Sequence, residues 1–177
     1  MHRYLLALIS VLITCGCAND VFPHKELIGT EQNFDFARWR LLANETPPTK
    51  VQIGGRIIEA ITRNKVVTIV AAQLPIVRFP AYGPKQAKSK GEFVITYPGE
   101  VYPPAFLHPG NRIMIVGTTQ RTKMAELDDV ARSLPAIEAS CLHIWKTGDQ
   151  DIADYISSAA GYATLEEETF CASDINP

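Results

Sequence analysis

Apolar and polar positions along the chain change period several times, and each change marks a different kind of element. Residues 4–14 (YLLALISVLIT) form an uncharged aliphatic run behind Met1-His2-Arg3. Residues 33–43 carry Phe34, Phe36, Trp39, Leu41 and Leu42 and predict a short helix. Thr46-Pro47-Pro48-Thr49 ends it, because proline lacks an amide donor and restricts its predecessor. From Lys50 the period becomes two and β-branched residues become dense, which predicts five strands at residues 51–61, 66–77, 92–97, 111–120 and 136–146. Arg63-Asn64-Lys65 reads as the turn between the first two, and Gly54-Gly55 within the first suggests a bulge or sharp coil. Residues 78–91 read as a Pro-, Gly- and Lys-rich loop, and Pro103, Pro104 and Pro109 exclude a central strand between the third and fourth strands. Residues 124–133 read as a short helical or loop insert. Beyond Lys146, Ile152, Tyr155, Ile156 and Ala159 recur at helical spacing, with Asp149 or Asp151 as N-cap and Gly161 as terminator. Residues 162–177 are expected to be mobile unless Cys171 pins them.

Five short strands in about one hundred residues, with glycines in the first and an interruption between the third and fourth, predict an all-β fold. The expected form is a small five-stranded OB-like Greek-key barrel with short flanking helices. A sandwich of the immunoglobulin type would want seven or more strands. The expected organisation is a signal peptide at 1–16, a lead and tether at 17–49, the barrel domain at 50–146 and an acidic extension with one short helix at 147–177.

Length and composition narrow this further. The 177 residues are 46% apolar and 20% charged, which suits one modest domain and excludes disorder throughout. The net charge of −2 excludes a uniformly basic, polyanion-coating protein. The charge is nonetheless segregated: residues 50–123 hold eleven Lys/Arg against three Asp/Glu, and residues 124–177 hold two against eleven.

The aliphatic run is too short to cross a bilayer, which takes roughly 20 residues, and fits the core of a secretory signal peptide. The segment directly after this run resembles a bacterial lipobox, in which a small residue precedes a cysteine that is acylated and becomes the new N-terminus. Cys17 comes after Gly16 as that pattern wants, with Thr14 where leucine is usual. Cys15 has Leu12 at the right distance but Thr14 where a small residue belongs. Cys17 is preferred, since the peptidase pocket around the cleaved bond tolerates less than the upstream position. Without an aspartate directly after Cys17, the resemblance implies the outer membrane, with several acyl chains, palmitate among them, holding the protein to lipid at the periplasmic face. An ordinary cleaved signal peptide releasing a soluble protein is the alternative. Cys141 and Cys171 are then the remaining pair. An oxidising compartment permits a bridge between them, and two separate buried thiols is the competing reading.

Several segments together resemble the Slp-type outer-membrane lipoproteins, also called starvation-inducible lipoproteins. They are Val51-Gln52-Ile53-Gly54-Gly55-Arg56-Ile57, Leu74-Pro75, Ser89-Lys90-Gly91-Glu92-Phe93, residues 104–117 (PAFLHPGNRIMIVG), Leu134-Pro135-Ala136-Ile137-Glu138-Ala139 and His143-Ile144-Trp145. Glu92 and Val101-Tyr102-Pro103 depart from the family pattern, and the acidic tail has no counterpart in it. The resemblance implies a non-enzymatic lipoprotein of the cell envelope with a structural or stress-related role, and it brings no catalytic residues.

The residues themselves offer little chemistry. No Gly-x-Ser-x-Gly elbow and no phosphate-binding glycine loop occurs, so neither an enzyme nor a cofactor is expected. No histidine has a second histidine or cysteine at metal-binding spacing except His143, two residues from Cys141, and a packed end-strand with Trp145 plugging the barrel mouth is the preferred reading there. The remaining candidate is the basic loop. Lys85, Lys88 and Lys90, with Phe79 and Tyr82, form an expected site for an anionic glycan or lipid headgroup, and nucleic acid is not an expected partner in the envelope. Solvated loop charges, partly neutralised by the acidic tail, are the plainer alternative.

Overall fold

A computed structural model describes residues 20–31, 33–77, 83–85, 87–127, 129–152 and 165–174. The signal peptide, Cys15, Cys17, Phe79, Tyr82 and the span 153–164 of the expected C-terminal helix lie outside them. The fold is mostly β, as the alternation predicts. Its strands are β1 (Lys50–Arg63), β2 (Val66–Leu74), β3 (Ile76–Val77), β4 (Gly83–Pro84), β5 (Glu92–Tyr97), β6 (Arg112–Leu127), β7 (Val130–Trp145) and β8 (Glu167–Cys171). Two short helices precede them, α1 (His24–Leu27) and α2 (Phe36–Leu42).

The five predicted strands correspond to β1, β2, β5, β6 and β7, and their pairings run in a ring. β1 pairs antiparallel with β2 and β6, β2 with β5, and β6 with β7, while β7 returns to β5 through a parallel contact at Val94↔Ala136 to Thr96↔Glu138. This is the barrel-like arrangement that the strand count and the glycine-marked first strand predict. The β1–β2 turn is made by Asn64 and Lys65, at φ 51° and 61°. Positive φ at both central residues matches the turn to the right-handed twist of the strands it joins.

Alternation sorts the side chains into an inside and an outside. Val51, Ile53 and Ile57, Val67 and Ile69, Phe93 and Ile95, Ile113 and Ile115, and Leu142 and Ile144 form one buried cluster. Each such side chain contributes roughly 1.5–3 kcal/mol. Phe36 and Trp39 of α2 join the same cluster and cover one end of the barrel. The helix is started by Asp35, whose carboxylate accepts from the Arg38 backbone N–H at 3.2 Å.

Four local expectations are corrected. The irregularity in the β1–β2 ladder falls between Ile57 and Glu59, not at Gly54-Gly55. Those glycines pair in register with both β2 and β6, and a Cβ on either would sit 3.0 Å from a backbone oxygen of β2. Second, residues 124–133 are neither helix nor loop. They continue β6 and β7 as a hairpin, paired from Lys123↔Leu134 to Leu127↔Val130. Met, Ala, Glu and Leu favour helix locally, but here Leu127 and Leu134 are buried with Val70 and Val94 in a second cluster, and that packing overrides propensity. Pro135 is accommodated because the ladder shifts between Gln120 and Lys123, so it faces a bulge that asks for no amide donor.

Third, the tail contains a strand. β8 pairs antiparallel with β7 from Cys141↔Cys171 to Trp145↔Glu167, on the stretch of β7 beyond its contact with β5. Fourth, Trp145 does not plug the barrel mouth. It shares an outer face with Met114, Val116, Cys141 and Cys171, in a cluster that Phe22 covers. The lead is therefore part of the body from Phe22 onward: Phe22 is 2% exposed, and Glu31 forms a parallel bridge with Val51.

Candidate functional site

Three surfaces bear on function, and sequence reading anticipated parts of two. The first is the outer face of β6 and β7. Cys141 and Cys171 are joined in a disulfide at the directly opposed position of the β7–β8 ladder, which commits the Cys141 sulfur and removes the Cys141/His143 pair as a metal or redox site. Two residues along, His143 is 4% exposed. Its Nδ1 lies 2.6 Å from Thr169 Oγ1 and its Nε2 3.4 Å from Glu167 Oε2. The Thr169 hydroxyl also donates its proton to the Val21 carbonyl at 3.0 Å. Burial pushes the His143 pKa below its ordinary value, and the Glu167 carboxylate opposes that shift. This chain of contacts ties β7, β8 and the start of the lead together. Among the described residues no group of three or more His, Cys, Asp or Glu is placed to hold a metal ion.

The second surface is the basic loop. Lys85, Lys88 and Lys90 are all exposed. The backbone holds the loop on both sides: Lys85 N–H donates to Pro75 O at 2.9 Å, and Gln73 N–H donates to Gly91 O at 2.8 Å. Among the described clefts, Lys90 alone of the three is a lining residue, in one of about 410 Å³ between the lead and the ends of β1 and β2. The described ion pairs of the acidic tail go elsewhere. Asp149 meets Arg56 at 3.2 Å, and Glu166 meets Lys146. Only the first of these joins the basic and acidic segments, and it is an exposed pair on the barrel wall; the second lies within the acidic segment.

The third surface lies between the β1–β2 and β6–β7 hairpins, the position at which OB barrels carry their ligand face. It is a cleft of about 660 Å³ whose lining includes Ile61, Val66 and Met124 beside Glu59, Arg63 and Asp129. Met124 is 69% exposed. Its described lining has no aromatic ring and more carboxylates than cations, so it offers neither the stacking platform nor the positive track that single-stranded nucleic acid uses.

The lipobox-like start, the ring of strands and the Lys90 segment are therefore features of one chain, and a family model spans them together, matching residues 14–169. The chain belongs to the outer membrane lipoprotein Slp family. Comparison with curated proteins and with solved structures gave no match. For this Slp chain the family span reaches past β7 to Thr169, so the first three residues of β8 are within the shared region although their acidic composition hid the strand. Sequence reading missed one further residue at the Lys90 cleft, Gln73. The signal was an amide at the fourth position of the alternating series Val67, Ile69, Ala71, Gln73.

Proposed function

We propose that this protein is held to the outer membrane by acyl chains on Cys17 and does non-enzymatic, structural or stress-related work at the periplasmic face of that membrane. The observation that supports this most is the extent of the family match, which starts at Thr14, inside the lipobox-like segment, and runs through the barrel. The body fits such a role. It docks its own lead at Phe22, five residues after Cys17. Incorporation of labelled palmitate and membrane fractionation test the reading. The wild type takes up label and sediments with outer membranes, and Cys17→Ser does neither; a Cys17→Ser protein that remains membrane-bound overturns it, and loss through Cys15→Ser instead moves the anchor to Cys15.

A second reading is favoured by the exposed lysines beside a cleft: a module binding an anionic glycan or lipid headgroup through Lys85, Lys88 and Lys90, with Phe79 and Tyr82 as the accompanying rings. Such binding weakens with salt, because exposed charges are screened over ~8 Å at physiological ionic strength. Reversing Lys85 and Lys88 to glutamate reduces it, and no binding of an anionic probe at low salt removes this reading.

A further inference from the structure

The Lys90 cleft contains a polar atom that folding alone does not explain. β2 presents Val67, Ile69 and Ala71 to the barrel core, and the same alternation turns Gln73 inward at the end that Phe36 and Trp39 cover. Gln73 is 8% exposed, and its Oε1 is buried without a hydrogen-bond partner. Its backbone is satisfied, since Gln73 N–H donates to Gly91 O at 2.8 Å, so the orphan is the side chain alone. A buried amide oxygen without a donor costs stability, and an apolar residue of similar volume would avoid the cost. Such groups in native proteins ask for an explanation.

The surroundings supply one. Gln73 lines the cleft together with Gln52, Glu31, Phe34 and Lys90. Phe34 is half-buried, its ring 5.4 Å from that of Trp39, and Gly54 keeps the wall low where a Cβ would press on Ile76 and Pro84 at 3.1 Å. Amides, a carboxylate, an ammonium and an aromatic ring around one concave site suit a ligand that donates and accepts hydrogen bonds at short intervals and carries an apolar ring face. A sugar has that chemistry, whereas an acyl chain has no donor for Gln73 and a simple phosphate no apolar face. We propose that this cleft is a saccharide-binding site, in which the Gln73 side chain turns toward the opening so that its Oε1 accepts from a hydroxyl or acetamido N–H, and Lys90 reaches an oxygen of the same or the next residue. The proposal rests on the second reading above, that this face binds an envelope ligand, and names its sugar-recognising part. The sugar can belong to the cell wall or to the core of a lipopolysaccharide, and the probes separate the two.

The test uses the full-length protein in detergent, ¹⁵N-labelled, titrated with a neutral N-acetylglucosamine tetramer and with a phosphorylated lipopolysaccharide core oligosaccharide. The expected result is a shift of the Gln73 side-chain amide resonances with one or both probes. Gln73→Leu is expected to raise the unfolding midpoint by a few degrees and to weaken the same probe about tenfold, the loss of one buried hydrogen bond. Lys90→Ala, at an exposed rim position, leaves folding intact and also weakens it. If Gln73→Leu is more stable and binds both probes like the wild type, the cleft is not the site. The loop reading survives that outcome when the phosphorylated probe still depends on Lys85 and Lys88. If neither probe binds the wild type at millimolar concentration, the saccharide site is refuted, and vesicles of anionic phospholipid at low salt then decide the second reading.

Discussion

Removing the Cys141–Cys171 bridge tests how far the tail belongs to the barrel. The bridge closes a loop with a sequence separation of 30 residues. Cross-linking a loop of that length lowers the entropy of the unfolded chain by an amount worth about 3 to 4 kcal/mol at 25 °C in the chain-entropy treatment. Cys141 and Cys171 are 0% and 3% exposed, packed with Met114 and Trp145, so truncation also removes contacts from a dense cluster. A protein carrying Cys141→Ala and Cys171→Ala is therefore expected to lose at least that much in guanidinium unfolding. Its denaturant dependence should steepen, because an uncrosslinked unfolded chain exposes more surface. Hydrogen exchange should locate the effect: amides of residues 141–145 and 167–171 lose protection first, while those of β1, β2 and β5 open only with the whole protein. A loss below about 1 kcal/mol, or faster exchange spread evenly over the barrel, would refute the view that the covalent bond, more than the five ladder positions and the Phe106–Phe170 contact, holds β8 in place.

Gly117→Ala should be among the most destabilising single-methyl changes in the barrel. The added Cβ would press on Glu138 O and lie 2.8 Å from Ala139 Cα, backbone atoms that cannot step aside, and a loss of about 1–3 kcal/mol in chemical denaturation is expected, a negligible loss being the disproof. Stability should fall as pH drops through about 6.5, the unfolded imidazole pKa. The unfolded His143 then takes a proton that the buried one refuses, up to about 1.4 kcal/mol per pH unit until the depressed folded pKa is passed. In His143→Phe the part of the slope between pH 7 and 5 that belongs to this residue should vanish, and an unchanged slope would mean that the imidazole charges freely where it sits. Asp35→Ala, by removing the N-cap of α2, should cost about 1 kcal/mol and be read as a matching shift in the urea midpoint, whereas Asp35→Asn should cost much less.

The ring of strands was legible because its signals are local and repeated: alternation along β1, β2, β5, β6 and β7, and turn chemistry at Asn64-Lys65. What stayed hidden is set by partners distant in sequence. Residues 124–133 are helix-formers by composition, and only Val70 and Val94 across the barrel make them a hairpin. Glu167, Glu168 and Thr169 look like a solvated tail until β7 offers them a ladder. Cys141 opposite Cys171 could be named as a possible pair but not chosen over two lone thiols, since their opposition depends on the register of a strand that the pattern does not show. At the Lys90 cleft the lysine was visible as charge, while Gln73 becomes conspicuous only once its oxygen is found buried and unanswered.

The docking of Phe22 sets a geometric limit on what the protein can do. Between Cys17 and Phe22 there are five residue steps, and a fully extended chain advances at most about 3.3–3.6 Å per step, or roughly 17 Å in all. With acyl chains on Cys17, as proposed above, the barrel would be on a short leash, kept close to the headgroups and unable to lean far into the compartment. On that reading any partner it serves would have to come to the surface of the lipid, and a longer spacer inserted ahead of Val21 would extend its range without altering a described contact of the body.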